Sequence, residues 1–311
     1  MDALDLAVIG AGPAGITAAI YAKRKNLGIR LFDKKIAGGY VADAVLLENY
    51  TGFEAIKGIE LARKMQQHAR AQGIEIEEGT GVKHARKSGD KFELELGGGK
   101  KLQARVIILA TGTTHRHLNV PGEKELQGKG VAYCATCDGP LFKGKKVAVI
   151  GGGNSGATNA LFLADICEKV FLVEFSPRLK CDDVYRKRLA EKKNIEVLTG
   201  TRTTRILGET AVEGIEVEPA KGGEKKTIDC SAVFVYAGML PQSSLAKELG
   251  CRVNEHGYIE TGRDHSTSVP GVFAAGDVTG AFAQAIVAAG QGAIAAEAAY
   301  NFLQKKRRES A

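Results

Sequence analysis

Two cysteines stand three residues apart in the run Cys134-Ala135-Thr136-Cys137, and a carboxylate, Asp138, follows at once. Three kinds of chemistry use such a pair. A zinc site needs two further ligands, but Cys167, Cys181, Cys230 and Cys251 are scattered singly and His115 and His117 have no spaced partner pair, so no metal is expected. A buried pair of structural thiols is the plain alternative. Thiol–disulfide exchange asks for more: one thiolate attacks a partner's disulfide, a second thiol within a helical turn resolves the mixed disulfide, and an acid nearby moves the proton. Asp138 suits that last task, although a carboxylate at the start of a helix also simply favours the helix dipole. His115 and His117 read as linker residues and Cys181, beside Asp182 and Asp183, as an ordinary side chain.

The elements that must position this pair are written twice along the chain. An apolar strand over 6–9 runs into Gly10-Ala11-Gly12-Pro13-Ala14-Gly15, and Ile16, Ala19 and Ile20 follow at helical spacing. A second strand over 29–32 ends in Asp33, where a dinucleotide-binding unit needs an acid for ribose. The pattern returns as a strand over 147–150, the run Gly151-Gly152-Gly153-Asn154-Ser155-Gly156, and a strand over 170–173 ending in Glu174, with the same spacing from first glycine to acid. Further strands are expected over 74–77 and 195–198, hairpins around the glycines at 97–99 and 222–223, and closing strands over 106–109 and 232–236. The expected fold class is therefore α/β, with two Rossmann-like three-layer dinucleotide-binding domains, the second inserted into the first. Expected boundaries are 1–113 for the first half of a flavin domain, 114–241 for a nicotinamide domain carrying the cysteine pair, and 242–311 for the second half of the flavin domain.

Two nucleotide sites in one chain suit electron transfer between a flavin and a nicotinamide. The run Gly271-Val272-Phe273-Ala274-Ala275-Gly276-Asp277 marks the first site as the flavin's, because it is an apolar strand ending in a small-residue turn whose carboxylate can accept hydrogen bonds from a ribityl chain. A helix of small residues over 284–290 can approach a ring closely.

Composition narrows the classes. Of the 311 residues 44% are hydrophobic and 25% charged, with 39 glycines against 7 prolines, which excludes disordered, fibrous and coiled-coil chains. Aromatics at 6% and the absence of Trp speak against a nucleic-acid stacking platform. The net charge of +7 owes part of its excess to Lys305, Lys306, Arg307 and Arg308, read as a solvated tail. No stretch reaches the roughly 20 apolar residues of a membrane helix, and the start Met1-Asp2-Ala3-Leu4-Asp5 is acidic where a signal peptide is basic, so no membrane partner and a cytoplasmic location are expected.

Taken together, Gly10-Ala11-Gly12-Pro13-Ala14-Gly15, Glu48-Asn49-Tyr50, Ala110-Thr111-Gly112, Cys134-Ala135-Thr136-Cys137-Asp138-Gly139, the glycines of 151–156 and Ala275-Gly276-Asp277-Val278 stand in the order and spacing of low-molecular-weight thioredoxin reductases, which the chain resembles over its whole length. The resemblance implies a homodimeric FAD enzyme that passes hydride from a nicotinamide to flavin, then electrons to the Cys134/Cys137 disulfide, then to thioredoxin. Cys137 would face the flavin, Cys134 would exchange with thioredoxin and Asp138 would be the acid. FAD would lie against Gly10, Gly12, Pro13, Ala14, Gly15, Asp33, Gly38, Gly39, Tyr40, Asn49, Val82, Ala110, Thr111, Gly112, Gly276, Asp277, Gln284 and Ala285. The nicotinamide nucleotide would lie against Gly151, Gly153, Asn154, Ser155 and Glu174. The family alternates between two domain orientations.

Departures from the family pattern carry information too. Tyr40 stands in place of Gln, Thr51-Gly52 in place of Pro-Gly, Ala283 in place of Arg and Thr158 in place of Glu. Tyr40 either lies near the flavin or fills the space of the missing Gln. Glu174-Phe175-Ser176 replaces the His-Arg-Arg cluster that receives the phosphate of NADPH, and the segment through Lys180 resembles the NADH-using flavoprotein of alkyl hydroperoxide reductase, which has an extra N-terminal region for which this chain has no room. NADH over NADPH is the expected preference. A flavin dithiol reductase fed by ferredoxin or a deazaflavin, and a flavin-dependent dithiol oxidase, are the alternatives.

Overall fold

The computed structural model describes residues 3–309, so Met1 and Asp2 of the acidic start lie outside the described residues. The chain forms two compact units, one made of the residues up to Thr114 together with those from Leu240 onward, the other of His115–Met239.

The first unit opens with β1 (Leu4–Ile9), α1 (Pro13–Arg24), β2 (Ile29–Phe32), α2 (Gly58–Ala71) and β3 (Ile76–Glu77), the strands pairing in parallel in the order β3-β2-β1. A hairpin of β4 (Val82–Ser88) and β5 (Lys91–Leu96) leads through a glycine turn to β6 (Lys101–Leu109). The first half of β6 pairs antiparallel with β5 and its second half runs parallel to β1. β7 (Thr113–His115) then leaves the unit.

The second unit holds β8 (Val131–Ala132), the short turn of helix α3 (Ala135–Asp138), β9 (Lys146–Ile150), α4 (Asn154–Ala164), β10 (Lys169–Glu174), α5 (Asp183–Glu191) and β11 (Ile195–Thr199). An antiparallel sheet of β12 (Thr201–Leu207), β13 (Gly214–Pro219) and β14 (Lys226–Asp229) follows, and β15 (Ala232–Val235) returns to complete a parallel sheet in the order β11-β10-β9-β15-β8. β16 (Met239–Pro241) pairs with β7, so the two chain crossings run side by side. Back in the first unit come α6 (Ser244–Glu248), β17 (Val272–Ala274), which adds to the second half of β6 in parallel, and the long α7 (Ala285–Glu309).

Period-two alternation explains the layers, because both faces of each parallel sheet are covered. Leu6 and Val8 of β1 pack on α1 and α7, whereas Ala7 and Ile9 face Phe92, Leu94 and Leu96. In the second unit Val147 and Val149 meet α4, and Ala148 and Ile150 face the β12–β14 sheet through Ile206, Ile215 and Val217. The small residues of α7 allow it to press on α1: a Cβ at Gly292 would lie 2.1 Å from the Ala14 carbonyl oxygen. The basic run Lys305 to Arg308 is the exposed last stretch of α7, not a tail, and Arg307 reaches the Asp5 carboxylate at 2.8 Å. Among the described residues no helix is long and apolar enough to cross a membrane, and no group of three His, Cys, Asp or Glu side chains is arranged to hold a metal ion.

Candidate functional site

The two glycine turns are built bond for bond alike. Gly10 and Gly151 both take a positive φ, 106° and 117°, and a Cβ on either would strike a backbone oxygen, that of Ala110 at 2.1 Å or of Tyr236 at 2.2 Å. Gly15 and Gly156 lie still closer to the preceding strand, a Cβ falling 1.7 Å from the carbonyl oxygen of Gly10 or Gly151. Asp33 accepts from the N–H of Ala11 at 2.7 Å and of Lys35 at 2.8 Å. Glu174 accepts from the N–H of Gly152 at 2.6 Å and of Ser176 at 2.7 Å. The loop after each acid folds back on its turn, Gly38 N–H donating to the Ala11 oxygen and Lys180 N–H to the Gly152 oxygen, both at 2.8 Å. The acid at the end of the second strand therefore holds the turn open in one shape before any ligand arrives.

Gly12 and Gly153 are different glycines from their neighbours. Each precedes the first residue of a helix, α1 or α4, with no side chain capping the helix N–H groups. A Cβ on Gly12 would find only the Gly39 Cα, at 3.8 Å, and one on Gly153 would find nothing within 4 Å. Packing does not require glycine here; what remains is a cradle at a helix N-terminus whose free N–H groups suit a pyrophosphate. Pro13, with its φ already helical and no N–H to satisfy, suits the first position of α1.

The other residues expected to hold the flavin belong to the same unit. Gly276, at φ 82°, packs close to Ala14 (3.0 Å from its own would-be Cβ) and donates its N–H to Gln291 Oε1 at 2.7 Å, which brings Asp277 to the start of α1. The Asp277 carboxylate makes no hydrogen bond to the described residues, and burial pushes it above the usual carboxylate range. Such a half-buried acceptor without a donor, beside an open phosphate cradle, fits the hydroxyls of an FAD ribityl chain. Asn49 Nδ2 donates to Gln284 Oε1 at 2.9 Å, just before Ala285 opens α7. Thr111 Oγ1 donates to the Gln242 carbonyl at 2.7 Å, and the Gly112 oxygen accepts from the Gln242 N–H at 2.9 Å. Gly39 and Tyr40 lie in a 3-10 turn over Gly39–Asp43, and Val82 begins β4 opposite Leu96.

In the second unit Cys134 and Cys137 are joined as a disulfide, their Cα atoms 5.3 Å apart across α3. Cys134 Sγ accepts from the Cys137 N–H at 3.3 Å and lies 3.2 Å from Thr136 Oγ1. Cys137 is exposed, while Cys134 and Asp138 are half-buried. The four other cysteines are buried single thiols. Burial pushes Cys167 up to about 11 and, with help from the Asp229 charge, Cys230 up to about 12, and it also raises Cys181 and Cys251, so none is a ready nucleophile. His115 stacks on Tyr133 with ring centres 5.6 Å apart, and His117 Nδ1 lies 2.7 Å from the Tyr133 hydroxyl, which donates to the buried Glu123 at 2.9 Å.

A family model described as pyridine nucleotide-disulphide oxidoreductase matches residues 4–292. The chain belongs to that family. Within the pyridine nucleotide-disulphide oxidoreductases it is 38% identical over 303 residues to thioredoxin reductase of Bacillus subtilis (strain 168), covering 97% of this chain and 95% of the relative. It is 42% identical over 303 residues to an NADH dehydrogenase of the same organism, covering 97% of this chain but 59% of that relative's length. The crystal structure of T. acidophilum thioredoxin reductase matches with a TM-score of 0.93 at 42% identity, covering 97% of this chain and 99% of that one. The chain is thus of the low-molecular-weight thioredoxin reductase type, with two Rossmann-like domains.

Within this oxidoreductase frame the departures have definite places. Thr158, on the second turn of α4, donates back to the Asn154 and Ser155 carbonyls at 2.9 and 3.1 Å. Asn154, the first residue of α4, has its side-chain amide engaged by Asp182, donating to the carboxylate at 3.1 Å and accepting from the Asp182 N–H at 2.8 Å. Arg178, Lys180 and Ala283 are exposed. Three residues went unnoticed in the sequence: Gln291, Gln242 and Tyr236. Gln291 had a signal, as a long polar side chain amid the small residues of α7. Gln242 and Tyr236 had none, since their partners are set by the fold.

Proposed function

We propose that the chain is an FAD-dependent thioredoxin-disulfide reductase that draws on NADH in preference to NADPH and works as a homodimer in the cytoplasm. The observation that carries this reading is the presence, in one chain, of two equally built phosphate cradles and a Cys134–Cys137 disulfide. When bound, FAD supplies a two-electron carrier that takes hydride from NADH and returns the pair to a disulfide. Gly12 and the α1 N-terminus hold its pyrophosphate, and Asp277 accepts from its ribityl chain. Gly153 and the α4 N-terminus do the same for the nicotinamide nucleotide, whose adenosine ribose meets Glu174.

Once the Cys134–Cys137 bond is reduced, Cys134 acts as the thiolate that attacks thioredoxin's disulfide, forming a mixed disulfide and expelling one thioredoxin thiolate. Cys137 then attacks Cys134 Sγ, so the internal disulfide re-forms and the second thioredoxin thiolate leaves. Asp138 passes protons to the departing thiolates. The four single buried cysteines suit a compartment that keeps thiols reduced. Exposed Tyr21 and Ile294, which line a groove formed by the 264–271 segment and α7, offer an apolar surface for a second copy.

Anaerobic bleaching of the bound flavin, with NADH, NADPH and neither compared in parallel, tests the donor; reduction of an insulin-coupled thioredoxin tests the acceptor. Sedimentation tests the dimer. A second reading rests on Asp182, which brings a carboxylate to the mouth of the second cradle, where it opposes a pyrophosphate. Under that reading neither nicotinamide bleaches the flavin, and a ferredoxin or deazaflavin donor does.

A further inference from the structure

Tyr236 touches both halves of the second unit's chemistry. Its backbone closes β15 against the glycine turn: the N–H donates to the Ile150 oxygen at 2.7 Å, and the carbonyl lies where a Cβ of Gly151 would be, 2.2 Å away. Only glycine at 151 lets the turn sit so close, so the turn and this carbonyl move together. The Tyr236 side chain runs the other way. Its hydroxyl accepts a 3.0 Å hydrogen bond from the N–H of Ala135, the residue that follows Cys134. Its ring also meets His115 edge-on at 6.5 Å, and His115 stacks on Tyr133, the residue that precedes Cys134. Both neighbours of Cys134 are therefore referred to one tyrosine, Ala135 through its backbone N–H and Tyr133 through its ring by way of His115.

We propose that Tyr236 is a positioning residue that couples occupancy of the second nucleotide cradle to the reactivity of the Cys134/Cys137 dithiol. The inference rests on reading the second unit as a nucleotide domain, and it adds a regulation of that site. A nucleotide that draws the N–H groups after Gly153 onto its phosphates shifts the turn against the Tyr236 carbonyl, and the phenol carries the shift to Ala135. There the orientation of α3 decides how well the Cys137 N–H meets Cys134 Sγ, a contact of 3.3 Å in the disulfide that would steady Cys134 as a thiolate once the bond is reduced. Coupling of this kind requires only that the nucleotide bind the two backbone arrangements unequally.

The test uses holoenzyme reduced anaerobically with a phosphine and freed of reductant. Alkylation of Cys134 and Cys137 by iodoacetamide is followed by peptide mass spectrometry across pH, with and without saturating ADP-ribose, which cannot donate hydride. In the natural protein ADP-ribose should change the Cys134 alkylation rate about threefold or more and move its pH profile, the scale of one neutral hydrogen bond gained or lost. In Tyr236→Phe, which keeps the ring and loses the hydroxyl, the profile should no longer respond at saturation. Calorimetry of ADP-ribose binding to the natural protein separates the failures. Binding without any change in alkylation overturns the coupling alone, as does an equal response in Tyr236→Phe, whereas absence of binding overturns the nucleotide reading and the coupling with it. The arm on the natural protein stands even if the variant fails to fold.

Discussion

The carboxylate of Glu174 accepts a 2.6 Å hydrogen bond from the N–H of Gly152, the counterpart of the bond that Asp33 accepts from Ala11. The acid that would read the adenosine ribose is thus already part of the turn, held in place by its second oxygen on Ser176. To swing aside for a 2′-phosphate it would have to give up the buried Gly152 N–H and the half-buried Ser176 N–H.

The expected outcome is a preference for NADH. Like-charge repulsion and lost ribose hydrogen bonds should cost NADPH about 2–3 kcal/mol, roughly 30- to 150-fold in affinity. Arg178 and Lys180 are exposed side chains, and Lys180 is tied to Gly152 only through its backbone. Steady-state kcat/KM for both nucleotides with oxidised thioredoxin is the measurement. Comparable values would remove Glu174 from this role. Glu174→Gln should erase the preference and destabilise the fold by about 1–3 kcal/mol, because an amide NH2 then faces a backbone N–H.

Glycines within one motif should fail in different ways. Gly12→Ala meets no atom nearer than 3.8 Å, so the variant should fold, melt near the natural apoprotein and purify with little FAD. Gly15→Ala places a methyl 1.7 Å from the Gly10 oxygen and should not fold. Absorbance near the flavin band and circular dichroism distinguish the two; a Gly12→Ala protein with stoichiometric FAD would show that nothing approaches there.

Two carboxylates should shape the pH dependence with opposite signs. Burial works to raise Glu174, but hydrogen bonds from Ser176 and Gly152 and the charge of Lys180 hold it below 4.5, so its contribution is present above that pH and lost as pH falls through the folded value. Asp277 is raised above 3.8 by burial, so its ionisation opposes folding of the apoprotein, with the cost growing from pH 3.8 upward and complete above the folded value. Asp277→Asn apoprotein should therefore melt higher than the natural apoprotein at pH 7. The gap should close in acid, and FAD affinity should fall. An Asn variant less stable at pH 7 would refute the unpartnered carboxylate.

Cysteine variants should divide cleanly. Cys134→Ser should retain flavin bleaching by the donor and lose thioredoxin reduction, whereas Cys167→Ala, Cys181→Ala, Cys230→Ala and Cys251→Ala should retain both while losing some stability. If Cys181→Ala stops turnover and Cys134→Ser does not, the exchange mechanism is wrong.

How much could be read from the residues alone depends on how local each feature is. The glycine runs, the acid that follows each at a fixed spacing and the alternation of β1 and β9 are short-range signals, and they announced the doubled Rossmann plan. The different duties of Gly10 and Gly12 were hidden, because only φ and the atoms around a would-be Cβ tell a packing glycine from one kept open for a ligand. The pairing of the Asn154 amide with Asp182 was likewise hidden, since the two stand 28 residues apart. Basic residues at 305–308 looked like a tail because charge composition carries no record of the Asp5 carboxylate near the start of the chain. Tyr236 looked like the apolar end of a strand, since the partner of its hydroxyl lies about a hundred residues earlier.

The parallel pairing of β17 with β6 sets a timetable for making the protein. Residues 107–109 leave the ribosome with an unpaired edge, and residues 272–274 that must lie beside them follow only after the whole second unit. At roughly 5–20 residues per second, this is a wait on the order of ten seconds or more. During that interval the inserted unit can finish folding, while the first glycine turn still lacks Gly276, Asp277 and α7. The first cradle is therefore complete only after Gly276, Asp277 and α7 have been made, and truncations that remove residues from 272 onward should yield a folded second unit and a colourless, protease-sensitive first one.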